Sequence, residues 1–195
     1  MPFRNAELFP LDAKINTAGN LEIGGCDTVS MAQEFGTPLY VYDESTIRRM
    51  ARTYLQEFSS RYPDTTVAYA SKAFLNKEMS RIAYEEGLSL DVVSGGEIAV
   101  ALSTGFPAKR MYFHGNNKSH QELSEAINVG IGTIVVDGFQ ELDLLNKIAE
   151  NKGQIQEIML RLSPSVDAHT HDHTTTGILD VKFGFSIESG EATVA

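Results

Sequence analysis

Residues 110–136, with the sequence RMYFHGNNKSHQELSEAINVGIGTIVV, contain the pattern that decides the fold class of this chain. The stretch begins with a short apolar run and ends with a β-branched run at residues 133–136, and both runs are typical of buried strands. Between them, Ser119 and Glu122 have the spacing of a capping box, which begins a helix, and Gly130 is placed to end that helix. The stretch therefore predicts a strand, a helix and a second strand in this order.

The same unit recurs from about residue 64 onward. The strand-like runs have centres about 22 to 25 residues apart and occupy residues 66–70, 88–93, 110–114, 132–136 and 157–162. The spacing of apolar residues between these runs predicts helices over residues 76–86, 119–129 and 139–151. Strands that alternate with helices at this period indicate βα units around a parallel sheet, so the predicted fold class is α/β.

Two α/β architectures fit this alternation, a doubly wound sheet and a (β/α)8 barrel. The first helix does not open with Gly-x-Gly-x-x-Gly, which weakens the dinucleotide-binding form of the doubly wound sheet. The barrel is therefore favoured. Five strand units are visible, whereas a closed barrel has eight strands and typically ~250 residues, so we predict a partial (β/α)8 barrel.

The first forty or so residues do not follow the βα pattern. Short strands are predicted at residues 21–25 and 39–42, with a helix over residues 28–35 between them. We therefore predict that residues 1–42 contribute to a separate β domain and that residues 43–195 form the incomplete barrel. Cys26 lies in a turn of small residues with no neighbouring base, and we expect a buried structural thiol.

Composition and charge exclude several classes of protein. The chain has 195 residues and a formal charge of −10, which would repel the phosphate backbone of a nucleic acid. Its single cysteine offers no internal disulfide, so we expect a cytoplasmic protein. The N-terminus does not have the pattern of a signal peptide, and the longest apolar runs are far shorter than the roughly twenty residues of a membrane span.

Functional side chains of a parallel barrel lie at the carboxyl ends of its strands and in the loops that follow. The residues of this kind that we single out as a candidate site are Lys72, Asp91, Glu97, His114 and Arg161. Lys72 directly follows an apolar strand, and partial desolvation of its ammonium would free the amine that Schiff-base chemistry requires. The alternative is a lysine that extends to solvent at the barrel rim.

The other candidate positions also have a purely structural interpretation. Asp91 is either a pocket carboxylate or a helix N-cap. Residues 94–97 could present backbone N–H groups to an anion or form a tight connection only, and the asparagines of the loop 114–118 could simply favour a turn. His169, His171 and His173 have alternating spacing that could bind zinc, but an exposed histidine-rich loop binds metals incidentally, and we predict no metal site.

Taken together, several motifs closely resemble the diaminopimelate decarboxylase branch of the fold-type III pyridoxal-phosphate decarboxylases. The resemblance runs from about residue 20 to the end of the sequence, and its most specific parts are HGNNK and AHTH. The motifs that carry it are FGTPLYVY at residues 35–42, YASKA at 69–73, LDVVSGGE at 90–97, HGNNK at 114–118, DAHTH at 167–171 and KFG at 182–184.

The resemblance implies an alanine-racemase-like barrel with a β domain to which the N-terminal segment contributes. It implies that Lys72 carries pyridoxal 5′-phosphate covalently and that Asp91 and Glu97 line or support the cofactor pocket, with His114 and Arg161 as further pocket positions. The implied reaction is decarboxylation of meso-2,6-diaminopimelate to L-lysine and carbon dioxide, the last step of lysine biosynthesis. The implied full-length protein is a homodimer.

The sequence lacks later motifs that the resemblance leads us to expect. A His-x-Gly-Ser strand, a glycine-rich phosphate loop, a Glu-Pro-Gly-Arg segment and a Cys-Glu-Ser loop do not occur after Gly184. We therefore expect an N-terminal portion of the enzyme that is inactive in isolation. Two alternatives stay open: a related decarboxylase acting on another basic amino acid, and a non-catalytic half-barrel module.

Overall fold

The computed structural model describes residues 3–164, 166 and 183–195. The chain divides into two compact units, Met1–Thr65 and Thr66–Ala195. The predicted boundary between residues 42 and 43 falls inside the first unit, so the assignment of residues 1–42 to a β domain stays a prediction.

The first unit contains a small antiparallel sheet and two helices. Asp27 accepts hydrogen bonds from the backbone N–H groups of Val29 and Ser30 at 2.8 and 3.0 Å and so caps the first helix, which begins at the predicted residue, Thr28. Three strands pair in the order β1-β2-β3. The elements are β1 (Lys14–Ile15), β2 (Leu21–Ile23), β3 (Cys26–Asp27), α1 (Thr28–Phe35) and α2 (Glu44–Ser59), with a short 3-10 turn at Ala6–Leu8.

Two sequence predictions for the first unit are wrong. The structure shows no strand at residues 39–42, where Tyr40 is 88% exposed, because this apolar stretch has no neighbouring strand with which to pair. Cys26 is exposed rather than buried. Its strand has two residues and follows the Gly24-Gly25 turn at the edge of a sheet none of whose residues is buried, so no core is present to cover the thiol.

The second unit is built on a five-stranded parallel sheet in the order β4-β5-β6-β7-β8. Strand order equals chain order, whereas a doubly wound sheet reverses direction at a switch point. The helices also contact in chain order, α3 with α4, α4 with α5 and α5 with α6. This single winding direction is that of a barrel. The elements are β4 (Ala68–Ala70), α3 (Lys77–Glu85), β5 (Ser89–Val92), α4 (Gly95–Ser103), β6 (Met111–Phe113), α5 (His120–Val129), β7 (Thr133–Val136), α6 (Phe139–Lys152) and β8 (Ile158–Leu160).

These elements confirm the predicted strands, helices and α/β class. The capping box of Ser119 and Glu122 is present with both of its hydrogen bonds, and Gly130 adopts the left-handed conformation at the end of α5. Alternate residues of the strands, such as Val92, Phe113 and Val136, are completely buried. Since successive side chains of a strand point to opposite faces, this burial leaves the intervening side chains on the other face of the sheet.

A second pair of short strands follows the main sheet. Strand β9 (Leu162–Ser163) lies two residues after β8 and pairs in parallel with β10 (Phe185–Ser186), and a last short helix, α7 (Glu191–Val194), follows. The N–H of Phe185 donates to the carbonyl of Arg161 at 2.7 Å, so the segment before β10 is held against the carboxyl end of β8.

Candidate functional site

Three predicted site residues lie at the carboxyl ends of the neighbouring strands β4, β5 and β6. Ala70 pairs with Asp91, and Asp91 pairs with Tyr112, so the three residues form one row across the strands. Lys72 lies two residues beyond this row on the first strand, and His114 lies two residues beyond it on the third. The register therefore places Lys72, Asp91 and His114 at the same carboxyl end of the parallel sheet.

Lys72 lies in a single 3-10 turn, Ser71–Ala73, that directly follows β4. Its side chain is exposed, as in the second of the two interpretations that the sequence left open, a lysine that extends to solvent at the rim. The reason is its place in the sheet, because β4 is an edge strand with a neighbour on one side only among the described residues. Of the two interpretations, the described residues show the lysine at the rim, with its amine accessible.

Asp91 and His114 lie against each other at the adjacent strand ends. Asp91 Oδ1 is 3.4 Å from His114 Nδ1, and both side chains are about one-third exposed. Asp91 is not the N-cap of α4, because the hydroxyl of Ser94 caps that helix by accepting from the N–H of Glu97 at 3.3 Å. Of the two interpretations of Asp91, the N-cap is thus excluded, and the pocket carboxylate stays a prediction.

Glu97 holds the end of β5 rather than facing open solvent. Its Oε2 accepts from the backbone N–H of Val93 at 2.7 Å, so the carboxylate joins the first turn of α4 to the strand before it. This contact positions the turn that follows Asp91. Among the described residues, Glu97 is thus placed to support the pocket edge.

The first glycine of α4 already has an anionic partner within the chain. Glu122 Oε1 accepts from the N–H of Gly95 at 2.9 Å, while Oε2 accepts from the N–H of Ser119 at 2.9 Å. These hydrogen bonds, that of Gly95 first, lower the pKa of the Glu122 carboxyl. A Cβ at Gly95 would lie 3.2 Å from Glu122 Cγ, so the close approach favours glycine here.

Lys118 fixes the loop that carries His114. Its side chain is 1% exposed, and its ammonium donates to the carbonyls of Gly115 and, at 2.9 Å, Val135. Glu141 Oε1 lies 2.8 Å from the same nitrogen and neutralises its charge. The HGNNK loop is therefore anchored to β7 and α6 by a buried lysine, a role that the sequence analysis did not predict.

Arg161, the predicted site residue after β8, pairs with a second residue that the sequence analysis missed. Its Nη1 donates to Asp137 Oδ1 at 2.8 Å, and the Asp137 side chain is 7% exposed. Asp137 directly follows β7, and the rule that functional groups follow the strands of a barrel would have found it.

Among the residues that the structure describes, buried polar atoms without a hydrogen-bond partner occur at the three adjacent strand ends. They are Ser71 Oγ after β4, Asp91 Oδ1 on β5 and His114 Nε2 after β6. Because an unsatisfied buried polar group costs free energy, such atoms in a cluster are typical of a surface that completes its hydrogen bonds with a polar ligand. The site thus combines the accessible amine of Lys72 with hydrogen-bond acceptor and donor atoms at the carboxyl end of the same sheet.

Within the described ranges, no three or more His, Cys, Asp or Glu side chains are grouped so that they could hold a metal ion. His169, His171 and His173 lie outside these ranges. None of the helices described is long and apolar enough to cross a membrane.

Comparison with known proteins agrees with the geometry. Residues 44–195 match the family model described as pyridoxal-dependent decarboxylase, pyridoxal binding domain. The diaminopimelate decarboxylase of Bacillus methanolicus is 52% identical over 182 residues, which are 93% of this chain and 42% of that protein. That of Bacillus subtilis is 52% identical over 176 residues, 90% of this chain and 40% of the relative.

A solved structure shows the same fold. The M. jannaschii diaminopimelate decarboxylase in complex with L-lysine has a TM-score of 0.81 and 33% identity, over 93% of this chain and 43% of that one. The chain thus spans about 40% of the length of the relatives it matches. Since the family model covers most of the sequence, the chain belongs to the family of pyridoxal-dependent decarboxylases and contains their pyridoxal-binding domain.

Proposed function

We propose that the full-length protein decarboxylates meso-2,6-diaminopimelate to L-lysine and carbon dioxide with pyridoxal 5′-phosphate. The observation that carries this proposal is the position of Lys72, Asp91 and His114 at the carboxyl ends of three adjacent strands. Support comes from the similarity of this chain to two diaminopimelate decarboxylases, each 52% identical to it. We further propose that the 195-residue chain alone is inactive, since it spans less than half of these relatives.

The residues present fit the cofactor. Lys72 offers an accessible primary amine, the group that can hold an aldehyde covalently. The unpaired atoms of Ser71, Asp91 and His114 offer polar contacts beside it. When bound, pyridoxal phosphate supplies an electron sink for the electrons that remain when the carboxylate leaves.

The chain's own residues then have distinct tasks. Asp91 Oδ1 lies 3.4 Å from His114 Nδ1 without a hydrogen bond between them, and among the described residues neither Asp91 Oδ1 nor His114 Nε2 has a hydrogen-bond partner, so both atoms are available to a ligand. Glu97 fixes the turn after β5, and Arg161 adds a cationic group after β8. Together these contacts orient the bound molecule relative to Lys72.

We also propose a domain arrangement, an assembly and a location for the full-length protein. Residues 1–42 contribute to a β domain and residues 43–195 to the barrel, a division supported by the family match, which begins at residue 44. We propose a homodimer in the cytoplasm, which rests on the resemblance and on the lack of a disulfide framework.

The test uses the full-length protein and a matched pair of lysine variants. We expect Lys72→Ala to abolish release of lysine from meso-2,6-diaminopimelate and Lys77→Ala, at the exposed start of α3, to leave it unchanged. Product is measured by mass spectrometry, with ornithine and arginine as competing substrates. Turnover of ornithine or arginine in preference to diaminopimelate would contradict the substrate, and full activity of Lys72→Ala would contradict the mechanism.

A further inference from the structure

The guanidinium of Arg161 is held on two sides by residues from different parts of the chain. Asp137, after β7, accepts from Nη1 at 2.8 Å, and the Phe183 ring centroid lies 4.4 Å from the guanidinium carbon. Gly184 contributes to the same arrangement, because its N–H donates to Asp137 Oδ2 at 3.3 Å. We call Asp137, Phe183 and Gly184 the Arg161 clamp.

Because the side chains of Asp137 and Arg161 are largely buried, their charges depend on partners within the protein. The Asp137 side chain is 7% exposed and that of Arg161 25% exposed, so neither charge is fully hydrated. A buried carboxylate is stable only when its oxygens have partners, and the two oxygens of Asp137 receive one N–H each, from Arg161 and from Gly184. Asp137 thus ties Arg161 to the segment before β10.

The position of Gly184 depends on the absence of a side chain. Its φ is +72°, and a Cβ there would lie 2.6 Å from the carbonyl oxygen of Arg161. Glycine is therefore needed both for the backbone conformation and for the close approach. Phe183 and Gly184 belong to the KFG motif, for which the proposed function supplies no task.

Glu141 links Asp137 of the clamp to the loop that carries His114. Glu141 Oε2 lies 3.3 Å from the N–H of Asp137 and accepts its hydrogen bond, while Glu141 Oε1 pairs with Lys118. Four charged side chains from successive βα units thus form a chain of contacts from the HGNNK loop to Arg161. Their formal charges sum to zero, with two cations and two carboxylates, which makes the row compatible with burial.

We propose that Asp137, Phe183 and Gly184 are positioning residues that aim the Arg161 guanidinium at the pyridoxal-phosphate pocket. This inference rests on the proposed function, in which Arg161 adds a cationic group to the site after β8. The clamp stabilises one orientation of a flexible side chain before the ligand arrives, which lowers the ordering cost of binding. Its residues act through Arg161 and make no contact with the reacting atoms.

The test is a double-mutant cycle in the full-length protein, read by spectroscopic titration with pyridoxal 5′-phosphate. The variants are Asp137→Asn, Arg161→Met and the double variant. We expect Asp137→Asn to weaken cofactor affinity on the order of 10-fold when Arg161 is present and to have no further effect in the Arg161→Met protein. Glu150→Gln, on the exposed face of α6, is the matched control and should bind like the wild type.

A second variant and a second readout cover the possibility that Asp137→Asn does not fold. Phe183→Leu keeps an apolar side chain but removes the ring beside the guanidinium, and it should weaken affinity in the same Arg161-dependent manner. In wild-type protein, ¹⁵N NMR should show slow rotation of the Arg161 guanidinium, with faster rotation in either variant.

The outcomes separate the inference from the function on which it rests. Equal weakening by Asp137→Asn with and without Arg161, or unchanged guanidinium rotation in both clamp variants, overturns the inference alone. A wild-type protein that binds no pyridoxal phosphate through Lys72 overturns the proposed function and, with it, this role of the clamp. The expected non-additivity together with a freed guanidinium supports both.

Discussion

At the scale of single residues, two lysines at the carboxyl end of the same sheet differ sharply in the solvent exposure of their side chains. Lys72 is exposed, whereas Lys118 is 1% exposed and its ammonium is surrounded by Gly115, Val135 and Glu141. An ammonium with two carbonyl acceptors and an ion pair has no free electron pair and no open approach for an aldehyde. Position after a strand is therefore not enough to make a reactive lysine.

This contrast gives a labelling prediction. When the protein is mixed with pyridoxal 5′-phosphate and reduced with borohydride, peptide mass mapping should find the modification at Lys72 and not at Lys118. The exposed lysines Lys77 and Lys109 are internal controls for non-specific reaction. If Lys72 were labelled no more than these controls, its amine would be no more reactive than that of any exposed lysine, which would contradict its role as the cofactor-binding residue.

A second residue-scale prediction concerns the ion pair that anchors the HGNNK loop. Lys118→Met should destabilise the protein by about 3 to 5 kcal/mol, because it leaves the Glu141 carboxylate buried without its cation. Glu78→Gln, in the exposed pairing with Arg81 on α3, should cost no more than about 1 kcal/mol. Urea unfolding measures both, and equal costs would show that Lys118 is hydrated in solution.

At the scale of elements, Glu122 joins two helix starts, since it caps α5 and also binds the N–H of Gly95 in α4. Its pKa is lowered in the folded protein, so its stabilising effect is complete above the unfolded pKa and is lost as pH falls through the folded value. Glu122→Gln should therefore cost about 1 kcal/mol at pH 7 and progressively less in acid below about pH 4.

The matched control for this prediction is Glu125→Gln, an exposed position on the same helix. It should change the free energy of unfolding by less than about 0.5 kcal/mol at either pH. Denaturant unfolding at pH 7 and at about pH 3 makes the comparison. A cost for Glu122→Gln that is equal at both pH values would contradict the linkage.

Elements also show how far the sequence could predict the structure. The helix α5 was predictable because its signals, the capping box and Gly130, are local and act within a few residues. The absence of a strand at residues 39–42 could not be predicted, because a strand requires a partner that its own sequence does not specify. For the same reason the site was found only in part.

The site residues found from sequence and those missed differ in a physical way. Lys72 and His114 follow strands and Asp91 lies in the last two residues of one, and the rule for parallel sheets is sufficient to bring them to the same end of the sheet. The roles of Lys118 and Asp137 depend on partners 23 and 24 residues away, Glu141 and Arg161, whose choice is made by tertiary packing. Sequence spacing carries no signal for such pairs.

At the scale of the whole molecule, the described parallel sheet has two edges, β4 and β8. The β8 edge carries exposed apolar side chains, with Ile158 40% and Met159 51% exposed. An open edge with apolar side chains is a template for pairing with another chain. We therefore predict that the 195-residue chain by itself associates in a concentration-dependent manner.

Light scattering across a range of protein concentrations tests this prediction. Met159→Lys places a charge on the exposed edge and should shift association to higher concentration, because a charged edge strand resists pairing. Lys152→Met, at the last residue of α6 rather than on a strand, changes the charge in the opposite direction and should leave association unchanged. Monomeric behaviour with a single cooperative unfolding transition at all concentrations would instead show that the described sheet is closed by the chain itself, which would contradict the partial barrel.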